Sequence, residues 1–582
     1  MVFASANVGF KQDVPQEQNV FLEDPVMVSV LERYLPENVL DEISPDLIHI
    51  SDWSNTEGAA LTARMEEDQP RLRQYDSWCR RVDELLVTEA WKKQKEIAAR
   101  EGVVAIAYER KYGEFSRIYQ MAKLMLWTSG AGLYSCPIAM TDGCARVLEL
   151  NGTREMKETV YTRLISRDPK KFITSGQWMT ERPGGSDVGR TETQAVWDET
   201  RKCCKGLSLY LANVRDEEGK LNGVRIHRLK DKVGTKALPT AELELDGMIA
   251  QQVGDNYRGV KNISAILNIT RVYCGMGCTA AMQRFILGVK EYARRREVFG
   301  ALLKDQPLHL ATVANMELQY RATSQFTFYC IAMLGRIESL DNNLPQVKDQ
   351  DIPLLRLLTP ILKVWSAKNA FAMSQEAMEC FGGQGYMEET GLGRAMRDVL
   401  VNTIWEGTTN VLSLDVLRVM AETGGDALDL FAESVRGILA PLKDQPQWTK
   451  AARSLEDCLA LISHHFTTYA TLETRNLLEA SARGLTFAMA DVISGALLCQ
   501  HAAWSAVKAH ANPSNSIVAS EASVDRISAQ RWCEGLEKKL SFQIEGLGSE
   551  TRYDEDKLML FGLADARTSH TVTVQAPIAS KL

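Results

Sequence analysis

The sequence predicts a mainly α-helical protein with a small β domain in its middle. Apolar residues recur at helical spacing through both ends of the chain. Between these ends, from about residue 173 to 250, alternating and β-branched runs dominate, and glycines mark the turns. The chain has 582 residues, of which 45% are hydrophobic, so it can form two to four domains with substantial cores.

We predict an N-terminal helical domain over residues 1–172 and a middle β domain over residues 173–250. In the first domain, amphipathic spacing predicts helices at Ser77–Arg100, Glu114–Thr128, Cys136–Leu150 and Lys157–Ser166. In the second, the runs of strand-forming residues are Phe172–Thr174, Val224–Leu229 and Ala241–Leu245. The change of pattern near residue 173 is the basis for the boundary between the two domains.

Helical patterns return over residues 251–440 and continue in an extra helical region over residues 441–582. Short breaks divide the first of these regions at Glu297–Gln306, Glu338–Ile352, Gly382–Gly391 and Glu406–Thr409. Further helical patterns in the extra region are Trp448–Ala470, Glu473–His510 and Asp525–Leu540. The order along the chain is therefore helical, β, helical and helical again.

Charge and hydropathy argue against nucleic acid or a membrane as partner. The net charge is −8, and from residue 421 onward 15 lysines and arginines stand against 20 aspartates and glutamates. Because duplex binding needs several clustered phosphate contacts, we do not expect DNA binding. The longest apolar stretch, Gly484–Cys499, is interrupted by Asp491 and is shorter than the roughly 20 residues of a membrane helix.

Cysteine and histidine usage predicts a reduced intracellular protein without a bound metal. The twelve cysteines contain no CxxC pair, and the eight histidines form no HExxH motif. We interpret His464 and His465 as a pair on a helix surface. The chain ends in Ser580, Lys581 and Leu582, the tripeptide that the peroxisomal import receptor reads, so we expect a peroxisomal protein.

Four segments can carry chemistry, although each alone also has a purely structural interpretation: Gln177–Val188, Arg294–Gly300, Ala377–Tyr386 and Val401–Asn410. The first is a strand that runs into a glycine-rich turn able to cradle a phosphate. The second offers an arginine that can clamp a diphosphate, and the third ends a helix at an open glycine pair. In the fourth, an apolar setting would raise the pKa of Glu406 and suit it to act as a general base.

Together, these segments resemble the acyl-CoA dehydrogenase superfamily over roughly residues 75–420. The shared motifs are MTE-x-x-GGSDV, R-x-x-FG, FGG-x-GY and IWEGT. Finer features are similar to the branch typified by the alkylation-response flavoprotein AidB: Cys136–Thr141, His227–Gly234, Thr270-Arg271 and Asp415–Arg418. The resemblance implies a helical domain, a β-sandwich or barrel and a four-helix bundle, with FAD as cofactor, an acyl-CoA substrate and a homotetramer.

The resemblance also assigns roles to residues. Those expected to contact FAD, some of them from a neighbouring subunit, are Met179, Thr180, Gly185, Ser186, Arg296, Phe299, Gln306, Gly382, Gly383, Gly385, Thr408 and Asn410. Arg271 and Trp405 would lie at the substrate pocket, and Glu406 would be the catalytic base. This base would abstract the α-proton of an acyl thioester while a hydride passes to flavin N5.

The sequence departs from the family after Val188. Thr191–Thr200 runs almost directly into Arg201–Tyr210, so that roughly two strands are absent, and Trp197 does not match the family's flavin-flanking tryptophan. Either a faulty gene model or splice variant has lost an exon, or the flavin face has diverged.

Three functions remain open at this stage. The first is an acyl-CoA dehydrogenase or oxidase, and the peroxisomal signal favours the oxidase. The second is a catalytically weak flavoprotein or binding scaffold, which the missing strands favour. The third is a flavin oxidase of nitrogen-containing small molecules, although such enzymes usually carry aspartate where this chain has Glu406.

Overall fold

The computed structural model describes residues 19–196, 206–339, 347–471, 473–545 and 550–566. Within these ranges the chain is mainly helical with few strands, which confirms the predicted fold class. Several residues discussed above lie outside the described residues: Trp197, residues 201–205, Ser580, Lys581 and Leu582.

Short and medium helices and one β-hairpin form residues 19–172, the described part of the first predicted domain. The helices are α1 Val20–Glu23, α2 Pro25–Tyr34, α3 Glu37–Trp53, α4 Ala59–Glu67, α5 Glu89–Arg100, α6 Ala105–Glu109, α7 Ser116–Thr128, α8 Ser135–Asn151, α9 Arg154–Met156 and α10 Thr162–Leu164. The hairpin consists of β1 Arg71–Tyr75 and β2 Arg81–Leu86. Three of the four predicted helices are confirmed here within a few residues; Lys157–Tyr161 forms a π-helical turn before α10.

The predicted helix Ser77–Arg100 is wrong in its first half, which forms the turn and second strand of the hairpin. The Asp76 carboxylate accepts hydrogen bonds from the backbone amides of Trp78 and Arg80, at 2.8 and 2.9 Å, and this bonding favours a turn. The helix begins at Glu89, where the Thr88 hydroxyl accepts from the Trp91 amide.

The middle region forms two separate antiparallel sheets of two strands each. One pairs β3 Leu209–Leu211 with β6 Gln251–Val253, and the other pairs β4 Val224–Leu229 with β5 Ala241–Leu245. The prediction of β4 and β5 is confirmed with these bounds. The predicted strand at Phe172–Thr174 is wrong, because Phe172 is buried and the Ile173 amide bonds to the carbonyl oxygen of Arg163 beside α10. Gln251, predicted to begin the helical region, instead begins β6.

The second helical region has long helices whose ends match the predicted breaks. Its elements are α11 Gly259–Arg295, β7 Glu297–Val298, β8 Ala301–Leu302, α12 Pro307–Glu338, α13 Ile352–Cys380, α14 Leu392–Leu400 and α15 Thr409–Glu422. The breaks at Glu297–Gln306, Gly382–Gly391 and Glu406–Thr409 are confirmed, and each contains a glycine with positive φ. At the break Glu338–Ile352, α12 ends at Glu338 and Val347–Asp351 is π-helical, while residues 340–346 lie outside the described residues.

The region predicted over residues 251–440 also contains α16 Asp426–Leu439. The helices of the extra region are α17 Thr449–Tyr469, α18 Arg475–Ala511, α19 Ser516–Cys533, α20 Leu536–Glu545 and α21 Glu550–Ala566. The single helix predicted at Asp525–Leu540 is wrong, because Gly535 adopts a φ of 69° and separates α19 from α20. By length and composition α18 could cross a membrane, but 89% of its most apolar window is buried inside the fold. It packs against α17, α19 and α20 as a core helix.

Two buried polar residues in this region, Asp491 and His465, have hydrogen-bond partners. Asp491, within α18, accepts hydrogen bonds from Trp365 Nε1 at 3.0 Å and Lys539 Nζ at 2.7 Å. His465 is buried and its Nε2 lies 2.7 Å from the Ser481 hydroxyl, so the interpretation as a surface pair is wrong for His465, whereas His464 is exposed. The two hydrogen bonds to Asp491 explain how a buried carboxylate is tolerated in the apolar helix α18.

The chain forms two compact units: Met1–Met316, Glu338–Leu340 and Asn369–Glu406 in the first, and Glu317–Ile337, Asp341–Lys368 and Gly407–Leu582 in the second. The division into four domains stays a prediction. In the first unit α11 packs against α7 and α8 around a buried charge network. Its centre is Asp142, which accepts hydrogen bonds from Arg117, Tyr108 and Tyr273 at 2.7–2.8 Å.

Candidate active site

The predicted base, Glu406, lies in a tight turn before α15. Its backbone has a φ of 57° and that of Gly407 a φ of 102°, both in the left-handed region. A residue with a side chain rarely adopts this conformation, and such strain clusters at functional sites. The Thr270 hydroxyl on α11 donates a hydrogen bond of 2.7 Å to Glu406 Oε2. The carboxylate is therefore directed to the buried helix rather than to solvent.

The surroundings of Glu406 are largely buried. Thr270 and the next residue, Arg271, are 1% and 8% exposed. Burial, and in second place the Glu406 carboxylate, raise the pKa of the Cys136 thiol at the start of α8 to about 12. Burial lowers the pKa of Lys232, whose Nζ donates to the Leu238 carbonyl and the Thr240 hydroxyl. A carboxylate in such a setting interacts strongly with its neighbours because the local dielectric is low.

The rest of the fourth motif surrounds this turn. Trp405 Nε1 donates to Asn402 Oδ1 at 2.9 Å, which fixes the indole. Thr408 is the N-terminal flanking residue of α15, and its side chain makes no capping hydrogen bond to the helix. Thr408 and Asn410 are both exposed at this helix end. Their polar groups are available for the adenosine contacts that the resemblance assigns to them.

Arg296 and two of the predicted glycines, Gly382 and Gly383, line one cleft of about 530 Å³. Its lining residues are Tyr292, Arg296, Val298, Leu303, His309, Glu379, Cys380, Phe381, Gly382, Gly383, Gln384 and Met387. A Cβ added at Gly382 or Gly383 would meet nothing within 4 Å, so this backbone is open to an occupant. At Gly385 a Cβ would lie 2.0 Å from the Met378 carbonyl oxygen, so this glycine serves close packing instead.

Phe299 and Gln306 belong to the loop between α11 and α12. Phe299 is fully exposed, with a φ of 52°, at the turn between β7 and β8. Gln306 Nε2 donates to the Val298 carbonyl oxygen at 3.2 Å and so closes the loop. This bond gives Gln306 a structural role in addition to the predicted cofactor contact.

The glycine-rich segment that follows residue 172 has few contacts. Met179 is half-buried, Thr180, Gly185 and Ser186 are exposed, and none of the four lines the cleft. Over residues 173–196 the structure has one isolated bridge, Glu181 with Gly184, and no ladder. The strand predicted before this turn is therefore wrong. The Glu181 carboxylate accepts from the amides of Glu192 and Thr193, at 2.7 and 3.3 Å, and this holds the turn.

The cleft residues fit one end of a dinucleotide. An arginine beside open backbone at two glycines provides the donors and the space that a diphosphate needs. Met179 and Thr180, the residues expected at the flavin ring, lie in a segment that pairs with no strand among the described residues. Among the described residues no group of three or more histidines, cysteines, aspartates or glutamates is arranged to hold a metal ion.

Sequence reasoning missed several neighbours of these residues. Thr270 belongs to one of the motifs quoted above, but its hydrogen bond to Glu406 joins residues 136 positions apart, and no local sequence pattern indicates it. Cys136, Lys232 and the cleft residue His309 were likewise given no role at the site. The buried Nε2 atom of His309 has no hydrogen-bond partner among the described residues, and burial lowers the pKa of this histidine.

Comparison with known proteins matches the chain to three family descriptions. Residues 257–421 match the acyl-CoA dehydrogenase C-terminal domain, residues 426–560 the acyl-CoA dehydrogenase 11 C-terminal domain-like family, and residues 12–169 the N-terminal domain of the adaptive response protein AidB. The matched segments cover the helical regions on both sides of the small β region.

Individual relatives agree with these matches. The chain is 40% identical over 540 residues to acyl-CoA dehydrogenase family member 11 of Caenorhabditis elegans, with 86% of each chain covered. The crystal structure of Caenorhabditis elegans ACDH-11 in complex with C11-CoA has a TM-score of 0.85 at 37% identity, over 96% of this chain and 98% of that one. A Bacillus anthracis acyl-CoA dehydrogenase complexed with FAD shares the fold, with a TM-score of 0.64 at 17% identity over 94% of both chains.

Proposed function

The chain belongs to the acyl-CoA dehydrogenase family, and from this premise we propose that it is an FAD-dependent oxidoreductase that oxidises the Cα–Cβ bond of acyl-CoA thioesters. The observation that carries the proposal is the hydrogen bond between Thr270 and Glu406, since it directs one carboxylate of the IWEGT motif into a largely buried setting. An acyl group of similar length to that of C11-CoA is the proposed substrate, because the worm relative was solved with that molecule.

In the proposed mechanism Glu406 removes the α-proton of the thioester. The Thr270 hydroxyl donates to the carboxylate and so favours its charged form, which is the form that accepts a proton. Arg271, on the next position of α11, lies at the same buried place and can orient the carboxylate or a substrate anion. When bound, FAD would accept the hydride equivalent from the β-carbon.

Arg296, Gly382 and Gly383 are the proposed ligands of the FAD diphosphate, with Phe299 at the adenine side. The full exposure of Phe299 supports a homotetramer in which this loop contacts the FAD of a neighbouring subunit. Met179, Thr180 and Ser186 would meet the flavin and pyrophosphate from the middle region. Gly385 acts in this proposal by allowing the glycine turn to pack against Met378.

The visible absorption spectrum of the purified chain is the first test, followed by release and identification of bound flavin. We expect about one FAD per chain and bleaching of the flavin on addition of C11-CoA. Hydrogen peroxide formed in air would identify an oxidase, whereas a need for an artificial electron acceptor would identify a dehydrogenase. A protein that neither carries nor takes up FAD would contradict the proposal.

We also propose that the chain is imported into peroxisomes and acts there in fatty acid metabolism. This proposal rests on Ser580, Lys581 and Leu582. A fluorescent protein fused in front of the chain should colocalise with a peroxisomal marker, and deletion of the tripeptide should leave it in the cytosol. Identical localisation of both fusions would contradict this part of the proposal.

A binding role without turnover is the second candidate. The observation that favours it is the pair of two-stranded sheets, which gives the flavin side little support. Under this alternative the chain binds acyl-CoA but shows no acyl-CoA-dependent bleaching, and Glu406→Gln leaves its cellular function intact.

A further inference from the structure

Lys363 makes a contact that the proposed mechanism does not use. It lies on α13, its side chain is fully buried, and its Nζ donates to the Gly407 carbonyl oxygen at 2.5 Å. An ammonium group loses its hydration on burial, so a fully buried lysine needs protein acceptors that replace the lost water. One of these acceptors is the carbonyl oxygen of Gly407, the residue that follows Glu406.

The backbone that receives this bond is strained. Glu406 and Gly407 both have positive φ, and strain of this kind persists only where the surroundings fix it. Glycine is favoured at position 407, because a φ of 102° strains any residue with a side chain and a Cβ there would lie 2.8 Å from Leu412 Cδ2. A charged donor on the Gly407 carbonyl is the kind of strong, directional bond that can hold such a turn.

Two hydrogen bonds therefore act on consecutive residues. Thr270 holds the carboxylate of Glu406, and Lys363 holds the carbonyl group of the next residue, Gly407. Glu406 and Gly407 form one turn, so a bond that fixes the Gly407 carbonyl restricts the backbone conformation of Glu406 and with it the direction of the carboxylate. Because a misplacement of about 1 Å can cost a catalytic group about a hundred-fold in rate, this control matters for a base.

We propose that Lys363 is a positioning residue that keeps the Glu406–Gly407 turn in its left-handed form and so aims the base. It touches the backbone of the turn and acts through Glu406. The kinetic part of the inference rests on the proposed function of Glu406 as base. The backbone part does not, and it can be measured without any substrate.

Hydrogen–deuterium exchange tests the backbone part on the full chain. Lys363→Met keeps the length of the side chain and removes the charge, and Lys368→Met on the same helix is the matched control. We expect exchange in the peptide covering residues 401–412 to rise at least ten-fold in Lys363→Met and to stay within two-fold of wild type in Lys368→Met. Unchanged exchange there, or an equal rise throughout the chain, would overturn the proposal.

Steady-state kinetics per bound flavin test the catalytic part. For Lys363→Met we expect kcat to fall ten-fold or more while KM stays within three-fold, with partial recovery in Lys363→Gln, which retains a shorter neutral donor. A purely structural lysine would lower Tm and leave kcat per flavin within two-fold, and that result would overturn the proposal. If wild type oxidises no acyl-CoA, the proposed function fails, while the exchange result still decides whether Lys363 holds the turn.

Discussion

The turns that carry Glu406 and Glu181 differ in how far along the chain their partners lie. The carboxylate of Glu406 bonds to a hydroxyl 136 positions away on a buried helix, whereas that of Glu181 bonds to amides 11 and 12 positions away. Both residues belong to family motifs, one in the helical regions and one in the middle region. The first turn therefore depends on the whole fold, and the second can persist as a local structure.

This difference bears on the prediction that roughly two strands are missing after Val188. The helical side of the site retains a half-buried base bonded to a buried helix, an open glycine pair and an arginine in a cleft. The segment containing Met179 and Ser186 has its turn but no ladder beside it. A local turn without a sheet can still present hydroxyl and amide groups, but it has little to fix their positions. Catalysis and cofactor affinity should therefore respond to changes in different parts of the molecule.

The largest expected effect is on catalysis at Glu406. Replacement of Glu406 by Gln removes the proton acceptor and preserves the shape of the side chain, so kcat should fall by about 10²–10⁴-fold with FAD content unchanged. The matched change, Glu181→Gln, should leave kcat per bound flavin within about three-fold and raise the Kd for FAD. Stopped-flow flavin bleaching and flavin titration measure the two quantities. Equal losses of kcat in both variants would remove the distinction between the two turns.

The next largest effect is on stability, at the buried network of the first unit. Burial alone would raise the pKa of Asp142, but Arg117, Tyr273 and Gln120 lower it below its ordinary value. Asp142→Asn leaves Arg117 without one of its two carboxylate partners and should destabilise the protein by about 3–5 kcal/mol. Glu242→Gln, which breaks an exposed pair with Arg228 between β4 and β5, should leave Tm unchanged.

The same network makes the stability of the folded protein depend on pH. The folded-state pKa of Asp142 is depressed, so its stabilisation is present above the unfolded pKa of about 3.9 and is lost as the pH falls through the folded value. The stability gap between wild type and Asp142→Asn should be constant from pH 5 to 8 and should narrow below about pH 4. Urea unfolding at several pH values measures the gap, and a gap that widens in acid would contradict the assignment.

The fold was predictable where signals are local. The breaks around Gly382–Gly391 and Glu406–Thr409 are visible in the sequence because glycine and turn residues end helices wherever they occur. The helix expected from Ser77 failed because β2 pairs with β1 and the Asp83 carboxylate accepts from the Ile226 amide, contacts that arise only in the folded chain. Tertiary pairing there overrides helical spacing.

The residues of the candidate site can be divided in the same way, into those that the sequence indicates and those that only the folded structure reveals. Glu406, Arg296 and the glycines belong to contiguous motifs, and the structure brings Arg296, Gly382 and Gly383 to one cleft. The bonds from Thr270 and Lys363 join residues far apart in sequence, and threonine and lysine are too common in helices to indicate such bonds. Motifs predicted the reacting groups, and packing alone reveals what holds them.

A smaller effect on rate is expected at Thr270. Thr270→Val keeps the branched shape and removes the hydroxyl, so the Glu406 carboxylate loses a bond worth about 1.5 kcal/mol and kcat should fall about ten-fold. Because that bond favours the charged form, the pKa seen in the pH profile of kcat should also rise. Thr270→Ser restores the donor and should recover most of the rate. A Val variant with an unchanged profile would show that Thr270 does not act on the base.

The smallest effect is expected at the glycine pair. Gly383 has ordinary backbone angles and open space beside it, so Gly383→Ala should leave Tm unchanged while the added methyl group narrows the cleft. The Kd for FAD should rise about five-fold, the equivalent of about 1 kcal/mol. Gly437→Ala, on the exposed face of α16, is the control: it should raise stability slightly and leave the Kd unchanged. If the Kd moves with Glu181→Gln but not with Gly383→Ala, FAD depends on the local turn of the middle region and not on the cleft of the helical side.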